Sequence, residues 1–201
     1  GYIGYHMQQG LEKVLRARKN GKRVVTVVTQ VVVDKDDPKF KAPSKPIGPF
    51  YTEDEARKLE AEKGYTMKED AGRGWRRVVA SPMPVEIVEL DAVKCLMNGG
   101  FIAITVGGGG IPVIKDENGN YIGTAAVIDK DLASERLAED IDADALVILT
   151  AVEQVCINFG KPEQKSLATM TVEEARRYMA EGHFAPGSML PKVEAAVKFV
   201  E

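Results

Sequence analysis

The chain has 201 residues, 44% of them hydrophobic and 28% charged, which is the balance of a globular protein with length for one sizeable core and a subdomain. A formal net charge of −3 and a pI near 5.6 exclude a nucleic-acid binder that relies on a basic surface, and small anionic ligands fit better. No apolar run approaches the roughly 20 residues that cross a bilayer, and Gly1 to Tyr5 lack the pattern of a signal peptide, so the expected compartment is the cytoplasm, with no membrane partner.

From the amino terminus, Ile3, Met7, Leu11, Val14 and Leu15 recur near the helical period, and the spacing predicts a helix over Gly4 to Lys19 stopped by Asn20-Gly21. Arg23-Val-Val-Thr-Val-Val-Thr29 is β-branched after its first residue, the composition of a strand covered on both faces in a parallel sheet. The stretch 34–84 is dense in charge, proline and glycine. It contains a helical pattern at Glu53 to Lys63 and short strand patterns at Tyr65 to Lys68 and Arg76 to Val79, and reads as an inserted, protruding subdomain or lid rather than as one long loop. A helix at Glu86 to Asn98 ending in Gly99-Gly100 follows, then a strand at Phe101 to Val106 and a tight turn at Asp116 to Asn120, where Asn118-Gly119 signals a hairpin. A helix at Leu132 to Ile141, a strand at Ala145 to Thr150 and a last helix at Pro191 to Glu201 complete the order, so that strand and helix alternate as in βαβ units. Neither end carries a cap or stop signal, and the expectation is a chain cut from a longer one.

Cys95, Cys156, His6 and His183 are far apart in sequence, so no bound structural metal is expected, and both cysteines read as apolar fillers, one on a helix and one on a strand. Gly107, Gly108, Gly109 and Gly110 follow directly on a predicted buried strand. Open α/β sheets bind ligands there, and missing side chains let a ligand reach the backbone; a flexible turn before Ile111-Pro112 is the other reading. The run is neither a Walker loop nor the dinucleotide fingerprint, since no Gly-Lys-Ser or Gly-Lys-Thr follows and the glycine spacing differs.

Lys130 lies between Asp129 and Asp131 at the start of a helix, where a cation opposes the helix dipole unless an anion shares the site. Ala185 to Val193 repeats the theme, with Ser188 as N-cap, Pro191 in the first turn and Lys192 where an acid would be electrostatically better. Two such lysines suggest one anion between them, which is what the spreading charge of a transferred phosphoryl group requires. Asp131 is read as orienting the lysines or holding Mg²⁺ through water, with a plain helix cap as the alternative. Lys35 and Lys45 either reach down from the lid or are solvated loop charges. Arg73, Arg76 and Arg77 around Trp75 form a dense basic and aromatic cluster, read as subdomain packing with arginine stacked on the indole.

Several long strings resemble the carbamate kinases of the amino acid kinase superfamily, and the resemblance covers essentially the whole chain. They are Gly4-Tyr-His-Met-Gln-Gln9, Val33-Asp-Lys-Asp-Asp-Pro38, Lys45-Pro-Ile-Gly-Pro-Phe-Tyr51, Glu69-Asp-Ala-Gly-Arg-Gly-Trp-Arg-Arg77, Gly107 to Pro112, Ala126-Val-Ile-Asp-Lys-Asp-Leu-Ala133, Ile157-Asn-Phe-Gly-Lys-Pro162 and Gly182-His-Phe-Ala-Pro-Gly-Ser-Met-Leu-Pro-Lys192. The resemblance implies an α/β fold, an αβα sandwich around a mainly parallel open sheet, with the small protruding subdomain inserted at 34–84 of a partial kinase domain spanning 1–201. It implies a homodimer and Mg²⁺-dependent transfer between carbamoyl phosphate and ADP, giving ATP and carbamate, in arginine fermentation. Carried onto this chain, Lys130 and Lys192 would neutralise the moving phosphoryl group, Asp131 would organise them, and Lys35 and Lys45 would approach the substrate from the lid. Gly107 to Gly110 would give backbone access. Thr150, Ala151, Val152, Phe159, Lys161 and Pro162, with Ser188 and Met189, would hold the nucleotide.

Members of that family open with a strand and a Gly-Gly-Asn-Ala phosphate loop, followed later by a Gly-Asn-Gly-Pro-Gln loop, and neither string occurs here. The expectation is therefore a central and C-terminal portion with little or no turnover of its own. Two other readings stay open: another amino acid kinase acting on a carboxylate such as acetylglutamate or aspartate, and a non-catalytic nucleotide-binding or dimerisation module.

Overall fold

A computed structural model describes residues 1–70 and 72–201. Ala71, within the string from Glu69 to Arg77, lies outside the described residues. The chain forms two compact units, Gly1–Lys130 and Asp131–Glu201. The first runs α1 (Tyr2–Ala17), β1 (Val24–Thr26), β2 (Gln30–Val33), a 3-10 turn (Pro38–Phe40), β3 (Lys45–Tyr51), α2 (Glu53–Lys63), β4 (Thr66–Glu69) and β5 (Trp75–Val79). It continues with β6 (Pro84–Ile87), α3 (Leu90–Asn98), β7 (Ile102–Ile104), β8 (Ile111–Lys115) and β9 (Tyr121–Gly123). Helix α4 (Lys130–Asp140) opens at the boundary, and the second unit continues with β10 (Val155–Ile157), β11 (Lys165–Leu167), α5 (Val172–Ala180) and α6 (Met189–Val200).

The fold is mixed α/β with parallel sheet elements. Strands β1 and β7 pair in parallel, Val24 opposite Ile102 and Thr26 opposite Ile104. Helix α1 comes close against β1 because position 4 is glycine: a Cβ there would lie 2.3 Å from Thr26 Cγ2. The Thr26 hydroxyl donates to Gln8 Oε1 at 2.9 Å across the same contact. A second sheet has the order β6-β2-β8-β9, with β2 parallel to β8 and antiparallel to β6. Val31, Val32 and Val33 are buried on both faces of its interior strand β2. The Asn118-Gly119 turn closes the β8–β9 hairpin, and Gly119 takes the φ of 81° that such a turn demands.

Within 34–84, β3, β5 and β4 make an antiparallel three-stranded sheet with α2 beside it. Thr52 and Glu55 form a complete capping box at the start of α2, and Gly64 ends it in the left-handed region. The basic and aromatic cluster packs by cation–π stacking, but the arginine over the indole comes from α2 and not from the three expected there. Arg57 of α2 sits 4.5 Å from the Trp75 ring, Arg73 and Arg76 each 5.1 Å from Phe50, and Arg77 3.8 Å from Tyr65. In the second unit, Ala175, Phe184, Val193 and Val197 form a core flanked by Val155, Ile157, Met170 and Tyr178.

Four local expectations are corrected. The strand expected at Arg23 to Thr29 is only Val24–Thr26, and the buried strand, β2, follows it at Gln30–Val33 in a different sheet; the Thr29 hydroxyl donates to the Val27 carbonyl at 3.1 Å and helps turn the chain between them. Glu86 and Ile87 are in strand β6, so the helix expected from Glu86 begins at Leu90. The apolar run Ala145 to Thr150 is not a strand, and Val147 and Leu149 are 78% and 88% exposed. A strand exists by its ladder, and among the described residues no strand pairs with this run; apolar patterning does not supply the partner. Cys95 is on a helix as expected but exposed, because α3 buries Val93 and turns the cysteine outward.

Candidate functional site

The carboxyl ends of the parallel pair β1 and β7 border a cleft of about 680 Å³. Thr29, Thr105, Gly107, Gly108, Gly110 and Lys130 line it, and Tyr2, Ile3 and Met7 of α1 contribute an apolar wall. Beyond β7 the backbone bends sharply. Val106, buried and β-branched, has a φ of 49°, a region that costs a side-chain-bearing residue about 1–3 kcal/mol. Gly107, Gly109 and Gly110 also have positive φ.

The four glycines divide into two kinds. A side chain at Gly107 or Gly108 would meet nothing within 4 Å, so their backbone is open to a ligand. A Cβ at Gly109 would lie 2.2 Å from the Ile128 carbonyl oxygen, and one at Gly110 2.3 Å from Val31 Cγ2, so these two serve close packing. The Gly107 amide donates to Thr105 O at 2.6 Å and the Gly109 amide to Val106 O at 2.7 Å. Among the described residues the Gly108 and Gly110 amides meet no protein acceptor, and both glycines line the cleft.

Lys130 is exposed at the first position of α4 and lines the same cleft. Lys45, at the start of β3, places its Nζ 2.5 Å from Asp129 Oδ2, and Asp129 is 7% exposed. Sequence reasoning proposed Lys45 for substrate; it did not single out Asp129 as its partner. In the second unit, Lys192 Nζ donates to Asp131 Oδ2 at 2.8 Å, both side chains being mostly buried. A charged pair removed from water in this way holds its geometry, since either group alone would be costly to bury. Lys35 is exposed in the turn after β2. Ser188 is the N-cap residue of α6 without a side-chain cap bond, and Met189 packs against the core of its unit. Thr150 and Ala151 are exposed, with the Thr150 hydroxyl donating to Val152 O at 2.6 Å. Phe159, Lys161 and Pro162 lie exposed between β10 and β11, Phe159 at 66%.

Two features were not visible as site residues in the sequence. Thr29 and Thr105 share a 2.8 Å hydrogen bond between their hydroxyls at the floor of the glycine loop. Glu135 on α4 is 3% exposed, and burial pushes its carboxyl above the ordinary glutamate range against the opposing pull of Lys198. Neither carried a signal in the sequence: Thr29 closes a β-branched run as any strand residue could, and Glu135 is a lone glutamate inside Leu132-Ala-Ser-Glu-Arg-Leu. Among the described residues, no group of three or more His, Cys, Asp or Glu side chains is arranged to hold a metal ion.

A glycine loop at the carboxyl ends of parallel strands, with open amides and a lysine in one cleft, defines an α/β protein equipped to hold a small anion. The sequence profile of the amino acid kinase family matches residues 40–201, and the chain belongs to that family. It is 62% identical over 200 residues to the carbamate kinase of Clostridium perfringens, covering 100% of this chain and 63% of that protein. It is 60% identical to the carbamate kinase-like protein YqeA of Escherichia coli, covering 99% and 64%. Among solved structures, the carbamate kinase from Giardia lamblia bound to AMP-PNP superposes with a TM-score of 0.87 at 46% identity, over 100% of this chain and 63% of that one. The chain thus spans 63–64% of the length of the relatives it matches.

Proposed function

We propose that the chain belongs to a carbamate kinase, transferring a phosphoryl group between carbamoyl phosphate and ADP. In the ATP-forming direction a β-phosphate oxygen of ADP bonds to phosphorus as the bond from phosphorus to the carbamoyl oxygen breaks, and carbamate leaves with that electron pair. The observation that carries this reading is the placement of Lys130 in one cleft with the open amides of Gly108 and Gly110. Fixed cations and N–H dipoles are what a loose, highly charged phosphoryl transition state needs, and no side-chain nucleophile is called for.

In this reading Lys130 and Lys192 carry positive charge to the phosphoryl oxygens, and Asp131 fixes Lys192 through their 2.8 Å bond. Lys35 and Lys45 approach the carbamoyl end from the inserted subdomain. Thr150, Ala151, Val152, Phe159, Lys161, Pro162, Ser188 and Met189 take the nucleotide. Asp131 would meet Mg²⁺ through water, the nucleotide phosphates and further waters supplying the remaining ligands, and the ion would neutralise phosphate charge. A homodimer, a cytoplasmic setting and a role in arginine fermentation complete the proposal. They rest on the family resemblance.

The test is coupled ATP formation from carbamoyl phosphate and MgADP by this chain and by Lys130→Ala, with acetylglutamate and aspartate offered in parallel alongside ATP. Little or no turnover is expected of this chain alone; with a Gly-Gly-Asn-Ala phosphate-loop segment supplied, activity confined to carbamoyl phosphate, and reduced at least about a hundredfold by the substitution, is the expected result. Turnover of a carboxylate instead would move the chain to another amino acid kinase. MgADP binding without turnover in either protein, even with that segment supplied, would leave a nucleotide-binding module.

A further inference from the structure

The glycine loop runs from Val106 to Ile111, and one residue outside it holds both of its ends. The Val106 amide donates to Thr29 Oγ1 at 3.0 Å, and the Ile111 amide donates to the Thr29 carbonyl oxygen at 2.8 Å. The Thr29 hydroxyl also donates to Val27 O at 3.1 Å, so in the 2.8 Å contact between the two threonines the Thr105 hydroxyl is the donor. Thr29 Oγ1 thereby gives its one proton and accepts two, which is its full capacity. Thr29 is 5% exposed, and a valine would match its shape, so the hydroxyl is what distinguishes it from its β-branched neighbours.

Val106 sits in a backbone region that a β-branched residue avoids, and the neighbouring structure must hold it there. Its amide is buried, and without Thr29 Oγ1 that donor would lack a partner, a condition relieved by rotating the turn. The same turn sets the direction of the Gly108 and Gly110 amides.

We propose that Thr29 is the positioning residue of the anion site: its hydroxyl and carbonyl clamp the two ends of the glycine loop so that the Gly108 and Gly110 amides are presented to a phosphoryl group. The ligand part of this proposal rests on the reading of the cleft given under Proposed function; the clamp itself does not.

The experiment compares the unsubstituted chain with Thr29→Val, Thr29→Ser and Thr29→Ala by amide hydrogen exchange and by titration with inorganic phosphate, following the amide resonances of residues 106–111. In Thr29→Val the Val106 amide exchanges at least about tenfold faster and phosphate binds about tenfold more weakly, the scale of one lost hydrogen bond, whereas Thr29→Ser restores both. Rescue by serine separates positioning from packing, because valine keeps the shape and serine keeps only the hydroxyl. Equal Val106 protection in the valine variant, or failure of serine to restore it, overturns the clamp. Should Thr29→Val not fold, Thr29→Ala supplies the hydroxyl-free comparison under the same two criteria. An unprotected Val106 amide in the unsubstituted chain overturns the clamp without any variant. If phosphate leaves the Gly108 and Gly110 resonances of the unsubstituted chain unmoved, the cleft is not an anion site and the ligand part is overturned, while Val106 exchange still decides the clamp.

Discussion

A methyl group added at Gly109 would lie 2.2 Å from the Ile128 carbonyl oxygen, at a φ of 128° that no L side chain favours, whereas one added at Gly108 would meet open space. Gly109→Ala should therefore destabilise the chain by at least about 3 kcal/mol in urea unfolding, and Gly108→Ala should leave its unfolding free energy within about 0.5 kcal/mol of the parent. Equal midpoints for the two variants would refute the division of the loop into packing and open positions. The glycine run, Lys130 and Lys192 drew notice in the sequence because each breaks a local rule: side chains missing after a strand, or cations at helix starts; Asp131, an acid in a first turn, obeys the rule and stood out only beside Lys130. Thr29 was not, since a hydroxyl in a run of valines obeys the strand pattern and declares itself only through partners 76 and 77 residues away.

Helix α5 begins at a complete capping box, with the Glu174 amide donating to Thr171 Oγ1 at 3.2 Å and the Thr171 amide to Glu174 Oε2 at 2.9 Å. Thr171→Ala should cost about 1 kcal/mol at neutral pH, read by urea unfolding. The Thr171 backbone N–H holds the Glu174 carboxyl below its ordinary range, so the charged glutamate favours the folded chain. Because the folded value is the lower one, that contribution is present above the unfolded value of about 4.3 and disappears as pH falls through the folded value. Glu174→Gln should accordingly match the parent in acid and fall below it at neutral pH; a gap that persists unchanged in acid would count against the box. At this scale the sequence was uneven. Helix α2 and the β8–β9 hairpin announced themselves through a following glycine and an Asn-Gly pair, whereas β10, β11 and α5 were not anticipated although α5 carries the same Thr-x-x-Glu signal as α2. The run Ala145 to Thr150 shows the opposite error, strand composition without a strand, because pairing belongs to the partner as much as to the segment.

For the molecule as a whole, alternation of strands and helices indicated the α/β class, and motif strings rather than periodicity indicated the kinase family. What sequence could not supply was which distant charges meet. Lys45 and Asp129 are 84 residues apart, yet their side chains lie 2.5 Å from one another within the first unit. That bond works as a clasp: it fastens the leading end of β3, and hence the sheet β3-β5-β4, to the residue that precedes Lys130. The lysine remains 28% exposed, so water can take over its charge when the clasp opens, and opening needs no unfolding. Lys45→Gln should leave the sheet intact but quicken limited proteolysis in the turn segment 34–44 severalfold; an unchanged cleavage rate would show that the sheet is fastened elsewhere. The sheet β3-β5-β4 is thus buckled on electrically, and because Asp129 is nearly buried, salt should slacken the buckle only weakly.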